Sequence, residues 1–142
     1  MTMIFIASDH AALEAKSKLI QFLENKNTQV TDLGPTTAAR CDYPDYAKKV
    51  AAAVLKTPQS LGILCCGSGI GMSIQANRYK GVRAALVWDE ESASLAKMHN
   101  NANILCLGAR LHSQEKLEKM TLAWLNGHFE KRHQPRLDKL DA

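Results

Sequence analysis

The sequence predicts an α/β fold built on a five-stranded parallel sheet. Short apolar runs alternate with stretches of helical spacing five times along 142 residues, with no linker-like segment between them. Two of the runs, Leu61–Cys65 (LGILC) and Asn103–Leu107 (NILCL), are apolar almost throughout, as strands covered on both faces must be. The length is that of one ordinary domain, so 1–142 reads as a single unit.

Each element has its own signal. Met3–Ala7 (MIFIA) is the first strand, and Ser8 or Asp9 caps a helix whose apolar residues Ala12, Ala15, Leu19, Phe22 and Leu23 recur at helical spacing. A second strand, Gln29–Leu33, stops at Gly34-Pro35. Pro44 falls at a first helical position, and Tyr46, Val50, Val54 and Leu55 form that helix's apolar face. LGILC is followed at once by the glycine loop and a short helix with Ile74 and Ala76. Val82–Val87 is the fourth strand, Glu90–Met98 a helix and Asn103–Leu107 the fifth strand. Gln114–Leu125 is a long helix, and the basic tail forms one more.

Composition narrows the function. With 46% hydrophobic and 23% charged residues the chain is neither disordered nor fibrous. Its longest apolar runs, Ala51–Leu55 and Ala84–Trp88, fall far short of the ~18–20 residues of a membrane span. MTMIFIASDH has no basic leader, so the cytoplasm is the expected location. Cys41, Cys65, Cys66 and Cys106 contain no C-x-x-C pair, which points to reduced thiols and away from zinc. A net charge of +4 and 6% aromatics, without aromatic–basic alternation, argue against nucleic acid. The local cluster Lys131, Arg132 and Arg136 suits a small anionic ligand better.

In parallel α/β sheets ligands gather beyond the carboxyl ends of the strands. There the sequence places Ser8, Asp9 and His10, then Cys66 with the loop Gly67-Ser68-Gly69-Ile70-Gly71, then Asp89, then Gly108 and Arg110. His99-Asn100 lies in the connection entering the fifth strand. Glycines at alternate positions before a helix let backbone N–H groups converge on a phosphate or an oxyanion. The spacing is neither the G-x-G-x-x-G of dinucleotide binding nor a P-loop.

Cys66, at the strand end, meets helix N–H groups that favour a thiolate, whereas Cys65 faces the opposite side and packs like Cys106 as a small hydrophobe. His99 is suited to moving protons near neutral pH, or else merely caps the preceding helix. Asp9, next to His10, is equally a helix N-cap. Arg132 and Arg136, four residues apart, share one face if the tail is helical and fork onto one phosphate. A nucleotide-binding module is the alternative from another class, with Asp89 roughly twenty residues beyond the first glycine as its ribose-binding acid. A redox reading of adjacent Cys65 and Cys66 is weaker, since such a bridge is strained.

The segments SDHAALEAK, DYPDYA, GILCCGSGIGMSIQANRYKGVRAAL, HNNANILCLGAR and RHQPR together resemble the type B ribose-5-phosphate isomerases, a family that includes allose- and galactose-6-phosphate isomerases. The resemblance covers nearly the whole chain. It implies a Rossmann-like three-layer α/β/α sandwich, no metal or organic cofactor, and a phosphorylated sugar as substrate. It also implies a homodimer or dimer of dimers whose pockets are shared between chains, with the tail, 127–142, at the dimer interface.

By the same resemblance Cys66 is the base that carries a proton between C1 and C2 through an enediolate, and His99 opens the furanose ring. Asp9 and His10 line the sugar and phosphate site, and Tyr43 forms a wall. Gly67, Ser68, Gly69 and Gly71 make the loop whose amides meet the enediolate oxygen, with Ser68 keeping a catalytic hydroxyl where threonine is common. Asn100 adds a polar contact, and Arg110, Arg132 and Arg136 clamp the phosphate. Met72 stands where some members carry a glutamate, which groups this chain with the thiol type. The stretch from Arg110 to the tail arginines is a residue or two shorter than in some relatives.

Overall fold

The computed structural model describes residues 2–142. Strands β1 (Met3–Ser8), β2 (Gln29–Asp32), β3 (Leu61–Cys66), β4 (Ala84–Leu86) and β5 (Ile104–Gly108) form one parallel sheet in the order β2-β1-β3-β5-β4. Between and after them come α1 (Leu13–Glu24), α2 (Tyr43–Lys56), α3 (Ile70–Ala76), α4 (Glu90–Met98), α5 (Gln114–Leu125) and α6 (Gln134–Leu137). Single 3₁₀ turns cover His10–Ala12 and Lys131–His133.

The sheet is covered on both faces, giving the three-layer α/β/α sandwich. One core packs Leu19 and Leu23 of α1, Ala93 and Ala96 of α4, and Leu117, Met120 and Trp124 of α5 on Ile4, Ile6, Ile63, Cys65 and Leu105. The other packs Ala47, Val50, Ala51 and Val54 of α2 and Met72 and Ala76 of α3 on Leu64, Cys66, Ile104 and Cys106. Adjacent Cys65 and Cys66 therefore face opposite cores, as strand alternation requires. No helix among the described residues is long and apolar enough to cross a membrane.

Helices α4 and α5 keep their expected bounds, because both start on local caps. Asp89 accepts from Ser92 N–H at 2.7 Å, and Ser113 accepts from Lys116 N–H at 3.1 Å. Asp9 rather than Ser8 caps the first helical turn, through Ala12 N–H to Oδ1 at 3.1 Å. That turn is 3₁₀, so α1 begins only at Leu13. Pro44 is the second residue of α2, and Leu55 is exposed rather than on its buried face.

The fourth strand is shorter than the apolar run Val82–Val87. Arg83 N–H donates to Asn103 Oδ1 at 2.7 Å, so a side chain replaces the ladder there. The outer edge of β4 is met by Asn77, whose amide donates to Ala84 O at 2.9 Å and accepts from Ala84 N at 2.8 Å. A side chain thus imitates a neighbouring strand at an otherwise open edge.

Lys16 is the least expected core residue. It lies on the inward face of α1 with no solvent exposure, and its Nζ donates to Asp32 Oδ1 at 2.8 Å and to Pro35 O at 2.7 Å. Asp32 Oδ1 also accepts from Gly34 N–H at 2.9 Å, so one buried cation organises the end of β2 and the turn after it.

The strand order reverses between β1 and β3, since the chain runs from β1 to one side and then crosses to the other. A reversal of this kind opens a crevice beyond the carboxyl ends of those two strands. In this chain they end in Ser8-Asp9 and Cys66-Gly67.

Candidate active site

A cavity of about 360 Å³ occupies that crevice, lined by Asp9, Tyr43, Cys66, Gly67, Ser68, Gly71, Arg110 and Leu111. The walls come from the end of β1, the start of α2, the loop after β3, the first turn of α3 and the turn after β5. Cys66 is 6% exposed, with its sulfur receiving Gly69 N–H at 3.1 Å. A donor aimed at sulfur stabilises negative charge there. Arg110 lays its side chain over Gly67, 3.3 Å from where a Cβ would stand.

The glycine loop has steric reasons for its composition. Gly69 adopts φ +80°, and a Cβ there would lie 2.9 Å from the Leu107 carbonyl carbon. Only glycine takes this left-handed step so close to a neighbouring strand. Two loop amides are used within the loop itself: Gly69 N–H on Cys66 Sγ, and Ile70 N–H on Ser68 Oγ at 3.2 Å. Gly69 stands behind the cavity wall rather than in it.

Burial separates the thiols chemically. Cys65 is pushed up to about 12, first by burial and then by neighbouring Cys66. Burial likewise raises Cys106 well above the ordinary thiol range. Both are core hydrophobes, as expected. Cys41 is partly exposed, its N–H donating to His10 Nδ1 at 3.2 Å, which ties His10 to the loop before α2.

The remaining expected site residues lie apart from this cavity within one chain. Asn100 borders a larger groove of about 570 Å³ beside β4, together with Arg83, Leu86, Trp88, Leu95 and Leu140. His99 is the C-cap of α4, its N–H donating to Leu95 O at 2.9 Å. Its ring stacks on His133, with centroids 4.5 Å apart. Arg132 and Arg136 do not converge on one empty site: Arg132 Nη2 donates to Glu130 Oε1 at 2.9 Å, and Arg136 Nη1 to His133 Nδ1 at 2.8 Å.

Glu130 and His133 are therefore site neighbours that sequence reasoning does not single out. His133 is held below the ordinary histidine range, first by burial and then by the charges of Arg132, His99 and Arg136. The ligating atoms of His99, Glu130 and His133 lie within 4.8 Å of one another, close enough for a divalent cation. Two arginine contacts oppose that use: Arg132 occupies Glu130, and Arg136 at His133 Nδ1 leaves the proton on Nε2, where a metal would need a lone pair.

Asp89 is spent on the cap of α4, and its carboxyl is lowered chiefly by the Ser92 backbone N–H. The nucleotide-binding alternative thus loses its ribose acid to a structural task.

Comparison with known proteins agrees with this architecture. A family model described as ribose/galactose isomerase matches residues 4–140. A probable ribose-5-phosphate isomerase B of Mycoplasma pneumoniae is 47% identical over 141 residues, spanning 98% of this chain and 93% of that protein. The crystal structure of a ribose 5-phosphate isomerase from Thermotoga maritima superposes with a TM-score of 0.96 at 47% identity, covering 99% of this chain and 97% of that one. The isomerase B of Mycoplasma genitalium, solved with bound ribulose-5-phosphate, gives 0.93 at 44% identity, covering 98% and 93%.

Proposed function

This chain belongs to the ribose/galactose isomerase family, and on that premise we propose that it interconverts D-ribose 5-phosphate and D-ribulose 5-phosphate, with Cys66 as the base. The observation that carries this reading is the placement of Cys66. It is the one thiol that lines the crevice at the strand reversal, and it has an amide donor on its sulfur and Asp9, Ser68 and Arg110 around the same cavity.

In the open-chain aldose, the Cys66 thiolate removes the proton from C2 while electrons move to O1, giving an enediolate. The O2 hydroxyl proton passes to O1, and the proton held by Cys66 returns to C1 as the C2 carbonyl forms. Charge builds on oxygen during the first transfer, and a fixed donor at such an oxygen is typically worth ~2.7–4 kcal/mol. Gly67, Ser68 and Gly71 line the cavity where that oxygen would sit. Arginine on the remote phosphate supplies binding energy that orients C1 and C2 against the sulfur.

A single chain does not complete the site. His99 and Asn100, with Arg132 and Arg136, stand away from the Cys66 cavity. Exposed apolar side chains stand on α3, just after β4 and on α4: Ile70, Ile74, Trp88 and Leu95. A patch of this kind marks an interaction surface. A second copy packed there about a two-fold axis would bring its His99, its Asn100 and its tail arginines to the first copy's cavity, with residues 127–142 at the interface. The site needs no added metal or organic cofactor, and the reaction is a cytoplasmic one.

Turnover of ribose 5-phosphate and allose 6-phosphate by wild type and Cys66→Ser tests the reading. Wild-type turnover lost in the variant supports it, and the kcat/KM ratio ranks the two sugars. A folded dimer that turns over neither sugar overturns it.

A further inference from the structure

Three side chains converge on Glu130 Oε1. Arg132 Nη2 donates to it at 2.9 Å, and the Nε2 atoms of both His99 and His133 lie 3.9 Å from it. The carboxylate is only a third exposed, and it is held by the tail where Glu130 N–H donates to Met98 O at 2.9 Å. The end of α4 and the start of the tail are thereby fixed against each other.

The protons on the two imidazoles follow from their partners. An arginine has only donors, so Arg136 Nη1 at 2.8 Å makes His133 Nδ1 an acceptor and leaves the proton on Nε2, buried and with no hydrogen-bond partner. His99 stacks on that ring and also turns Nε2 toward Glu130. A carboxylate favours a proton on the nitrogen that faces it. His99 Nδ1 is left with a lone pair and no hydrogen-bond partner among the described residues, on a side chain 37% exposed. Distances near 4 Å are long for hydrogen bonds, but such contacts commonly tighten when substrate arrives.

We propose that Glu130 is a positioning residue that holds His99 with its proton on Nε2, leaving Nδ1 as the atom that exchanges a proton with the sugar. This rests on the isomerase reading above for what the proton exchange does. His99 Nδ1 takes the proton from the O1 hydroxyl of the furanose. The C1–O4 bond breaks with its electron pair on O4, C1=O1 forms, and the proton passes to O4. No proton is gained or lost overall. His133, with its own tautomer set by Arg136, supports the stack and keeps Glu130 centred between the two rings.

Long-range ¹H–¹⁵N spectra of the histidines and two kinetic assays test this on the intact protein. Wild type is expected to show His99 as the Nε2–H tautomer. Glu130→Ala should shift it to a mixture and lower turnover of ribose 5-phosphate tenfold or more. Solvent exchange of the C1 protons of ribulose 5-phosphate, an acyclic sugar that needs no ring opening, should change less than about threefold. Glu130→Gln keeps an acceptor oxygen and should recover part of the turnover.

An Nδ1–H tautomer in wild type, or an unchanged tautomer in Glu130→Ala, overturns the proposal. So does equal loss of exchange and turnover in a variant that unfolds cooperatively. If Glu130→Ala does not fold, Glu130→Gln carries the test, with a loss of at least threefold in turnover alone. Failure of the isomerase reading looks different: wild type converts neither sugar, while the tautomer still depends on Glu130.

Discussion

The ring of Tyr43 rests on Gly71: a Cβ at position 71 would lie 2.5 Å from Tyr43 Cε1 and 2.6 Å from Cζ. Both residues line the Cys66 cavity, so the start of α2 and the first turn of α3 form one wall through this contact. Gly71→Ala should push the ring aside. Tyr43 is partly exposed, and a ring tip can move at small cost. Stability is therefore expected to fall by only about 1 kcal/mol, while kcat/KM falls tenfold or more. Urea unfolding alongside steady-state kinetics checks that split. Normal kinetics would remove Tyr43 from the wall.

The two adjacent thiols are expected to behave as opposites. Cys66→Ser should abolish most turnover while sparing phosphate binding. Cys65→Ser should leave kcat within about twofold, and should cost about 1–3 kcal/mol because it buries a hydroxyl among apolar side chains. Burial keeps Cys65 and Cys106 protonated, so iodoacetamide on the native protein should label Cys41 and Cys66 and spare the other two. Mass spectrometry of the labelled peptides reads this directly.

What was legible in the sequence was what is local. Helices α4 and α5 keep the bounds their pattern predicts because Asp89 and Ser113 cap them locally, and the glycine loop after an apolar strand leads to the cavity. The ends of β4 were not legible, because the contact that trims the strand comes from Asn103, twenty positions along the chain. Lys16 reads as an interruption of an apolar stripe until the fold brings Asp32 and Pro35 to its amine. His133 has no signal at all in the pattern of the tail. Its ring is buried where the fold stacks it on His99 and brings it beside Glu130 and Arg136.

Lys16 gives a test of that buried charge. Asp32→Ala leaves an unpaired ammonium in the core and is expected to destabilise by about 2–4 kcal/mol, Asp32 being partly solvated. Lys16→Met removes the charge with its stem kept, and should cost less than Asp32→Ala. Chemical denaturation of both variants and the double variant gives the coupling. The reverse ranking would mean that the amine serves mainly as the donor to Pro35 O.

Lys97 makes the stability of the fold depend on alkaline pH in a direction that can be worked out. Its Nζ lies 4.6 Å from the centre of the Trp124 ring, and its amine is lowered to about 8, by burial first and by Arg83 second. Above that value the folded chain releases a proton that the unfolded chain holds until about pH 10.4. The unfolded state then binds more protons, so this lysine adds stability as pH rises through that window. Cys65 and Cys106 act in the opposite sense there, since the unfolded thiols ionise first while the buried ones stay protonated. Comparing wild type with Lys97→Met cancels the cysteines, because both proteins carry them. Near neutral pH the variant is expected to be the more stable. That advantage should shrink by about 1–2 kcal/mol towards pH 10, a figure discounted for the part of the side chain that meets solvent. Urea unfolding across this range measures it. A constant difference would show that the Trp124 ring holds the ammonium charged, with cation–π attraction outweighing the burial.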